Sequence, residues 1–181
     1  MGFSSLAQKG GVGLRFGIGL ESIPSFEVGQ TEYSMDGPAA GIGLDYSITK
    51  KISVGLHHNF SFNLEGDSYD ISTGFYTPFE YSLNHTMLRG RISTDPWRFF
   101  SVYFTSGLHY ISYDYPDLNF DRTATGFSAG AGLVLKIGRL RINLVELNAI
   151  TLNNHLFSDT VNEKFYINLK AGIAFRIIEP I

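Results

Sequence analysis

The sequence has no cysteine, few charged residues and no long apolar run. Without cysteine, disulfides, thiolate catalysis and thiol-ligated metal sites are excluded. Charged residues make up 17% of the 181 residues, below the roughly 25% that is usual in soluble domains. No stretch approaches the roughly eighteen consecutive apolar residues of a transmembrane helix. These absences leave open a membrane-spanning strand barrel, whose signal in each segment is alternation.

Alternation is strictest near the end of the chain, in residues 165–177. One parity is wholly apolar and comprises Phe165, Ile167, Leu169, Ala171, Ile173, Phe175 and Ile177. The other parity carries both charges, Lys170 and Arg176, among small and polar residues. Period-2 alternation over this length predicts a β-strand with one apolar face.

The same pattern recurs in seven earlier segments, which predicts eight strands. The predicted strands are residues 11–21, 40–48, 52–64, 81–94, 99–111, 126–137, 140–151 and 165–177. Residues 1–10 and 178–181 are predicted to be tails. Ser5 and Ala7 also resemble the end of a signal peptide, and an ordinary terminus is the alternative.

The predicted connections alternate in length. Short ones centre on Lys50, Pro96 and Gly138, and long ones are predicted at residues 22–39, 65–80, 112–123 and 152–164. All six prolines fall in these connections or at the C-terminus, as a hydrogen-bonded sheet requires. The layout predicts an all-β, up-and-down antiparallel barrel with short turns at one rim and four longer loops at the other.

Two predicted strands change parity partway, which predicts β-bulges. In the fourth strand, Leu83, His85 and Met87 share the apolar parity until Leu88 takes over. A bulge at Met87–Leu88 would place both following arginines on the polar face, and the alternative places them near lipid headgroups, where they could snorkel. A second bulge near residues 144–145 would turn the following glutamate inward.

The composition of the polar face indicates which side is outside. A soluble lipocalin-like barrel also alternates, but its outer face would be dense in charged residues, whereas this face is largely Gly, Ser and Asn. A lysine or arginine facing lipid at the midplane would cost about 2–4 kcal/mol, so the charges are predicted to lie in the lumen. The predicted lumen charges are Arg15, Asp45, Arg89, Arg91, Lys136, Arg141, Glu146, Lys170 and Arg176.

Eight strands enclose an interior just wide enough for side chains or one small ligand. Because buried charges must be paired, the simplest prediction is a salt-bridged plug. The alternative is a narrow pore or small-molecule conduit, which would favour anions because the lumen charges are mostly basic.

The four long connections, counted with Glu21, hold thirteen of the seventeen acidic residues, which predicts an acidic rim. Such a rim could simply be solvated, or could bind divalent cations or a basic partner.

The arrangement resembles the small eight-stranded OmpA/OmpX-type bacterial outer-membrane barrels. The pattern Lys170-x-Gly172-x-x-Phe175-x-Ile177 is similar to the C-terminal β-signal that the barrel-assembly machinery reads. The chain departs from the usual ending, because four residues follow Ile177 and no aromatic residue closes it, which leaves a downstream domain open. The resemblance implies an integral outer-membrane protein with extracellular loops and periplasmic termini, in contact with outer-membrane lipid and lipopolysaccharide.

Three functions are compatible with this resemblance. The first is a monomeric, non-enzymatic barrel whose loops serve structure, adhesion or binding of a surface partner, and the second is the narrow pore. The third is a lipid A-modifying enzyme, because His58 and His85 are predicted to lie close together on the lipid face, although Ser61 and Ser82 fall on the other parity. No cofactor, metal site or nucleic-acid partner is predicted, since no histidine pair has a third ligand at metal-site spacing and the loops are acidic. His57 and His109 are predicted to be hydrogen-bonded lumen residues.

Overall fold

The computed structural model describes residues 10–28, 30–94, 99–115, 120–152 and 165–178. They form eight strands: β1 Gly11–Val28, β2 Thr31–Ser47, β3 Ile52–Asp70, β4 Phe75–Thr94, β5 Phe100–Tyr115, β6 Phe120–Ile137, β7 Leu140–Leu152 and β8 Phe165–Ile178. Each strand pairs antiparallel with the next, and β1 pairs with β8. The predicted closed barrel of eight antiparallel strands is confirmed. The described part contains no helix that is long and apolar enough to cross a membrane.

The two faces of the wall follow the predicted alternation. Along β5, Phe104, Leu108 and Tyr110 point outward and are exposed, whereas Tyr103 and His109, on the other parity, are buried inside. Large outward-facing apolar side chains recur around the barrel and include Ile18, Leu44, Leu56, Leu88, Phe127, Leu147 and Ile173. The apolar belt therefore faces out, and the polar residues pack inside, as expected for a wall in contact with lipid.

One of the two predicted bulges is present. The ladder between β7 and β8 shifts between Asn143 and Glu146, so that Leu144 and Val145 both face outward and Glu146 turns inward. A bulge inserts one residue into one strand and reverses the parity that follows. The irregularity thus moves the only acid of β7 into the lumen.

The predicted bulge at Met87–Leu88 is wrong. The ladders of β4 with β3 and with β5 run through this point without a shift, and β3 instead shifts between Ser61 and Leu64. Leu83 and His85, 1% and 0% exposed, therefore lie inside the barrel together with Met87. The error arose from assigning apolar residues to lipid, whereas a packed lumen also buries apolar side chains.

The predicted long connections are mostly strand. Residues 22–28 and 31–39 extend β1 and β2, and residues 65–70 and 75–80 extend β3 and β4 up to a turn at 71–74. β3 has 19 residues and β4 has 20, roughly twice the 9–11 that a tilted strand needs to cross a bilayer. Both faces of such an extension can be solvated, so its sequence has no alternation to reveal it. The residues predicted as the loop 152–164 lie outside the described residues, except Leu152, which ends β7.

Three prolines lie within strands, contrary to the prediction. Pro24 sits at the shift between Ile23 and Phe26 in the ladder of β1 with β2. Pro38 sits where the ladder from β2 to β3 is interrupted, between Met35 and Ala40. Proline cannot donate to a ladder, so it is tolerated at such irregularities. Pro78 lies in β4 and pairs with β3, in a part of the strand that precedes the described ladder to β5.

The two rims are built differently. The short-turn rim contains the β2–β3 turn, residues 48–51, and the two-residue β6–β7 turn, Gly138-Arg139, whose glycine has a φ of 58°. The positive φ explains why a glycine stands there. The hairpin rim, at the opposite end, contains the tips of the β1–β2 and β3–β4 hairpins, which meet through a hydrogen bond from Ile71 N to Gln30 O of 2.8 Å.

Candidate functional site: the barrel lumen

Glu146 is the centre of a hydrogen-bonded network in the lumen. Its carboxylate accepts a hydrogen bond from Arg15 Nη1 at 3.2 Å and another from Arg89 Nη1. Tyr103 Oη donates to the same carboxylate at 2.6 Å, and Asn148 Nδ2 at 3.1 Å. Glu146 is 1% exposed, so these four donors replace the water that its charge would otherwise bind.

A second carboxylate extends the network toward the short-turn rim. Asp45 accepts from Arg15 Nε at 3.2 Å, and its other oxygen is 2.8 Å from His57 Nε2. Arg15 thus joins the two acids, since its guanidinium donates to both. Glycines leave room for these groups, because a Cβ at Gly43 would lie 2.8 Å from His57 Cε1. The network links β1, β2, β3, β4, β5 and β7 across the lumen.

Arg91 adjoins the network through an aromatic ring. Its guanidinium carbon lies 3.7 Å from the ring centroid of Tyr103, and its Nε donates to Ser93 Oγ at 3.1 Å. Among the described residues, no carboxylate forms an ion pair with Arg91. A cation–π contact holds such a side chain in place without neutralising its charge.

The remaining predicted lumen charges are spread along the interior. Lys170 lines a small cavity beside Glu146, whereas Lys136 and Arg141 lie near the short-turn rim. Arg141 Nη1 donates to the carbonyl oxygens of Gly138, at 2.5 Å, and Leu140, at 3.0 Å. The side chain of Arg176 lies outside the described residues. The described ion pairs join four of the predicted residues, Arg15, Asp45, Arg89 and Glu146, to one another.

The lumen holds little free space around this network. A cavity of about 30 Å³ lies between Arg89, Asn143 and Lys170. Arg89 Nη2 and Asn143 Oδ1 are buried there without a hydrogen-bond partner in the described structure. A polar cavity of this size holds one or two water molecules, which would satisfy both atoms. Side chains and this small cavity therefore occupy the lumen at the level of Glu146.

A second group of hydrogen-bonded polar side chains lies on the hairpin side of the network. His85 Nε2 is 2.5 Å from His109 Nδ1, and His109 Nε2 is 2.5 Å from Ser128 Oγ. A serine beside a histidine can act as a nucleophile only if a substrate reaches it. Ser128 is 3% exposed, so in this conformation the chain of groups is a packing element of the lumen.

The two histidines predicted to lie together on the lipid face are separated. His58 faces outward and is hydrogen-bonded to Thr86 Oγ1 at 2.9 Å, whereas His85 is inside the barrel. The prediction that they form a pair is wrong, for the same reason that the fourth-strand bulge is wrong. Within the described residues, no group of three potential ligands is placed to hold a metal ion.

The hairpin rim has a separately organised turn. The carboxylate of Asp70 accepts hydrogen bonds from Ser72 Oγ at 2.6 Å, Ser72 N at 2.8 Å and Thr73 N at 3.3 Å. The hydroxyl of Ser72 makes the largest contribution to lowering the pKa of Asp70 below its ordinary value. This turn stabilises a hairpin that also carries Asp67 and Glu80, both exposed.

The residues of the predicted assembly signal lie along β8, the strand that closes the barrel. Phe175 and Ile177 face outward and are exposed, and Lys170 faces the lumen. Gly172 is in close contact with β1, because a Cβ there would lie 2.7 Å from the Cα of Gly17. Gly172 therefore has a packing role at the closing seam in addition to the signalling role that the sequence predicts.

Sequence reasoning missed two members of the lumen network. One is Asn148, which donates to Glu146, and the other is Tyr103. It stands on the inward parity of β5, between Val102 and Phe104, and parity alone could have identified it as an inward-facing phenol. Its partner Glu146 lies 43 residues away in sequence, so the contact itself depends on how the barrel closes.

Solved structures with a similar fold include outer-membrane barrels. The structure of Neisserial surface protein A is 10% identical, covering 92% of this chain and 98% of that chain, with a TM-score of 0.63. OprG from Pseudomonas aeruginosa is 11% identical over 95% and 98% of the two chains, with a TM-score of 0.66. The outer membrane protein AlkL is 14% identical over 99% and 95%, with a TM-score of 0.58. A comparison with curated protein sequences found no match.

The family relationship follows from the sequence itself. Residues 1–170 match the family described as "Outer membrane protein beta-barrel domain", which covers most of the chain. The match agrees with the closed barrel and with its outward apolar belt. This chain belongs to the outer membrane protein β-barrel domain family and is an integral β-barrel protein of the bacterial outer membrane.

Proposed function

We propose that this protein is a non-conducting, non-enzymatic membrane barrel that presents its hairpin rim as a binding surface. The observation that carries the proposal is the buried network around Glu146, which joins strands on opposite sides of the lumen. A barrel closed in this way would have no continuous water path, so its function would lie at a rim. In bacterial outer-membrane barrels, short turns face the periplasm and long connections face outward, which supports an extracellular hairpin rim and periplasmic termini.

The chemistry of the hairpin rim favours a basic partner. Asp67, Asp70 and Glu80 lie on the described β3–β4 hairpin, with no lysine or arginine between residues 52 and 88. The strands extend well beyond the length that a bilayer requires, so these carboxylates stand clear of the membrane surface. A concentration of like charge attracts a partner of opposite charge and accelerates encounter. We therefore propose a basic protein segment as the partner, with bridging divalent cations mediating contact with lipopolysaccharide phosphates.

Conductance measurements test the closed lumen. Wild-type protein in planar bilayers should give no stable current steps. Anion-selective steps from correctly folded wild-type protein would instead support the alternative, a narrow pore with a basic lumen. The enzymatic alternative loses support from the separation of His58 and His85, and the mass of lipid A should be unchanged when the protein is expressed.

Binding of an oligolysine peptide tests the rim. The double variant Asp67→Asn, Glu80→Gln removes two exposed charges from the β3–β4 hairpin and should weaken peptide binding to the reconstituted barrel. The matched control is Lys50→Gln, an exposed charge at the opposite rim, which should leave peptide binding to the hairpin rim unchanged. Equal binding by the wild type and the double variant would contradict a binding surface at this hairpin.

A further inference from the structure

A second cavity, of about 230 Å³, opens at the short-turn rim and is lined mostly by basic side chains. We refer to it as the basic vestibule. Its basic residues are Arg15, Lys50, Lys51, Arg91, Lys136 and Arg141, and Asp45 is the one acidic residue that lines it in the described structure. The hydroxyl groups of Ser47, Thr49 and Ser53 lie in the same wall. Both sets of groups can donate hydrogen bonds to an anion.

The single acid does not neutralise this set. One carboxylate oxygen of Asp45 accepts from Arg15 and the other contacts His57, so its charge is already engaged at the floor of the vestibule. Arg15 also reaches Glu146 on the inner side of that floor. Two further acids, Asp95 and Glu179, lie outside the described residues. None of the described carboxylates forms an ion pair with Lys50, Lys51 or Arg91, which also line the vestibule.

Arg91 is held ready to bind an anion. Stacking on Tyr103 and the hydrogen bond from Nε to Ser93 Oγ fix the guanidinium plane and use one of its donors. None of the described carboxylates forms an ion pair with Arg91, so the two terminal nitrogens remain for a ligand. The planar fork of a guanidinium matches two oxygens of a phosphate, and a fixed fork loses less side-chain entropy on binding.

We propose that the basic vestibule binds a phosphate group, with Arg91 and Lys136 as its principal ligands. A dianionic tetrahedral oxyanion carries enough charge and enough acceptor atoms for several lysine, arginine and hydroxyl donors at once. The volume is below the roughly 300–1,000 Å³ of pockets for drug-sized ligands, so it suits phosphate itself or the phosphate of a larger molecule whose remainder stays outside. The closed floor makes the vestibule a binding site and not a passage. This site lies at the rim opposite the proposed protein-binding surface and does not depend on that function.

Calorimetric titration with inorganic phosphate tests the proposal. The refolded barrel is held in a maltoside detergent, because phosphocholine detergents would introduce phosphate groups of their own. The wild type should bind phosphate saturably, and Arg91→Gln and Lys136→Gln should each raise Kd by about tenfold or more, as expected for loss of a charge-assisted contact. Arg139→Gln is the matched control, since Arg139 is an exposed base in a turn of the same rim and does not line the vestibule.

Three results would overturn the proposal. The first is the absence of phosphate binding by the wild type, and the second is an unchanged Kd for phosphate in Lys136→Gln. The third is an equal loss of phosphate affinity in Arg139→Gln, which would indicate only the general electrostatic field of the rim. Lys136 is half-buried near the mouth, so its variant decides the outcome if Arg91→Gln fails to fold.

Titration with a short-chain phosphatidylglycerol identifies the source of the phosphate group that the vestibule binds. Binding of inorganic phosphate indicates a free-phosphate site, whereas binding of the lipid alone would assign the vestibule to a lipid headgroup and overturn the free-phosphate form of the proposal.

Discussion

Replacing Glu146 by glutamine should destabilise the barrel more than any change to an exposed acid. The glutamine side chain keeps the shape and one acceptor oxygen, but it removes the charge that faces Arg15 and Arg89. Arg15 retains Asp45 as a partner, so Arg89 is the cation left uncompensated. Removing one partner of a buried ion pair costs about 3–5 kcal/mol of stability. Because glutamine retains one acceptor, the expected loss in the free energy of unfolding is about 3 kcal/mol.

Urea unfolding in lipid vesicles measures this loss. The fluorescence of the single tryptophan, Trp97, reports the transition, and the midpoint should fall while the slope stays constant. The control Asp67→Asn, at an exposed position, should change the free energy of unfolding by less than about 0.5 kcal/mol. The double variant Arg89→Met, Glu146→Met replaces the pair by apolar groups and should cost less than Glu146→Gln alone. A stability change in Glu146→Gln as small as that of the control would refute the network as the element that holds the lumen together.

Two further predictions concern the hairpin rim and the closing strand. Ser72→Ala removes the hydroxyl donor to Asp70 and should raise the pKa of that carboxyl toward its ordinary value in an NMR titration. Because the pKa of Asp70 is lowered in the folded protein, the carboxylate's contribution to stability is complete above the unfolded pKa and is lost as pH falls through the folded pKa. An unchanged pKa in Ser72→Ala would contradict the assigned cause. Phe175→Ala should slow insertion by the barrel-assembly machinery more than Phe104→Ala, since both side chains are exposed on the apolar belt, 50% and 57%, but only Phe175 belongs to the proposed assembly signal. Equal insertion rates would leave β8 without a special role.

The sequence was sufficient for the architecture because lipid imposes a period of two on the outer wall. Phe104, Leu108 and Ile173 show this directly, since each stands on the predicted parity and is exposed. The inner wall is less constrained. The apolar pattern of Leu83, His85 and Met87 predicts that they face outward, yet they pack inside, where apolar and polar side chains are both accommodated.

The sequence pattern could not predict the lengths of the strands or the contacts between lumen residues, for different reasons. The extensions at the hairpin rim exceed the length that lipid requires, so no period-2 apolar face marks them as strand in the sequence. The rule that prolines exclude strands fails here because Pro24 and Pro38 occupy places where a ladder is interrupted. The contact between Arg15 and Glu146 spans 131 residues, and it exists only because β7 is bulged and the barrel closes with a particular stagger.

Solvent access from each side of the membrane tests the closed lumen most directly. The chain has no cysteine, so a single introduced thiol can be followed without background. Ser53→Cys lies in the basic vestibule at the short-turn rim, and a membrane-impermeant thiol reagent is added to one side of the vesicle at a time. We predict that the thiol reacts only with reagent on the short-turn side. Equal reaction with reagent added on the hairpin side would show a continuous water path through the lumen and would contradict the closed barrel.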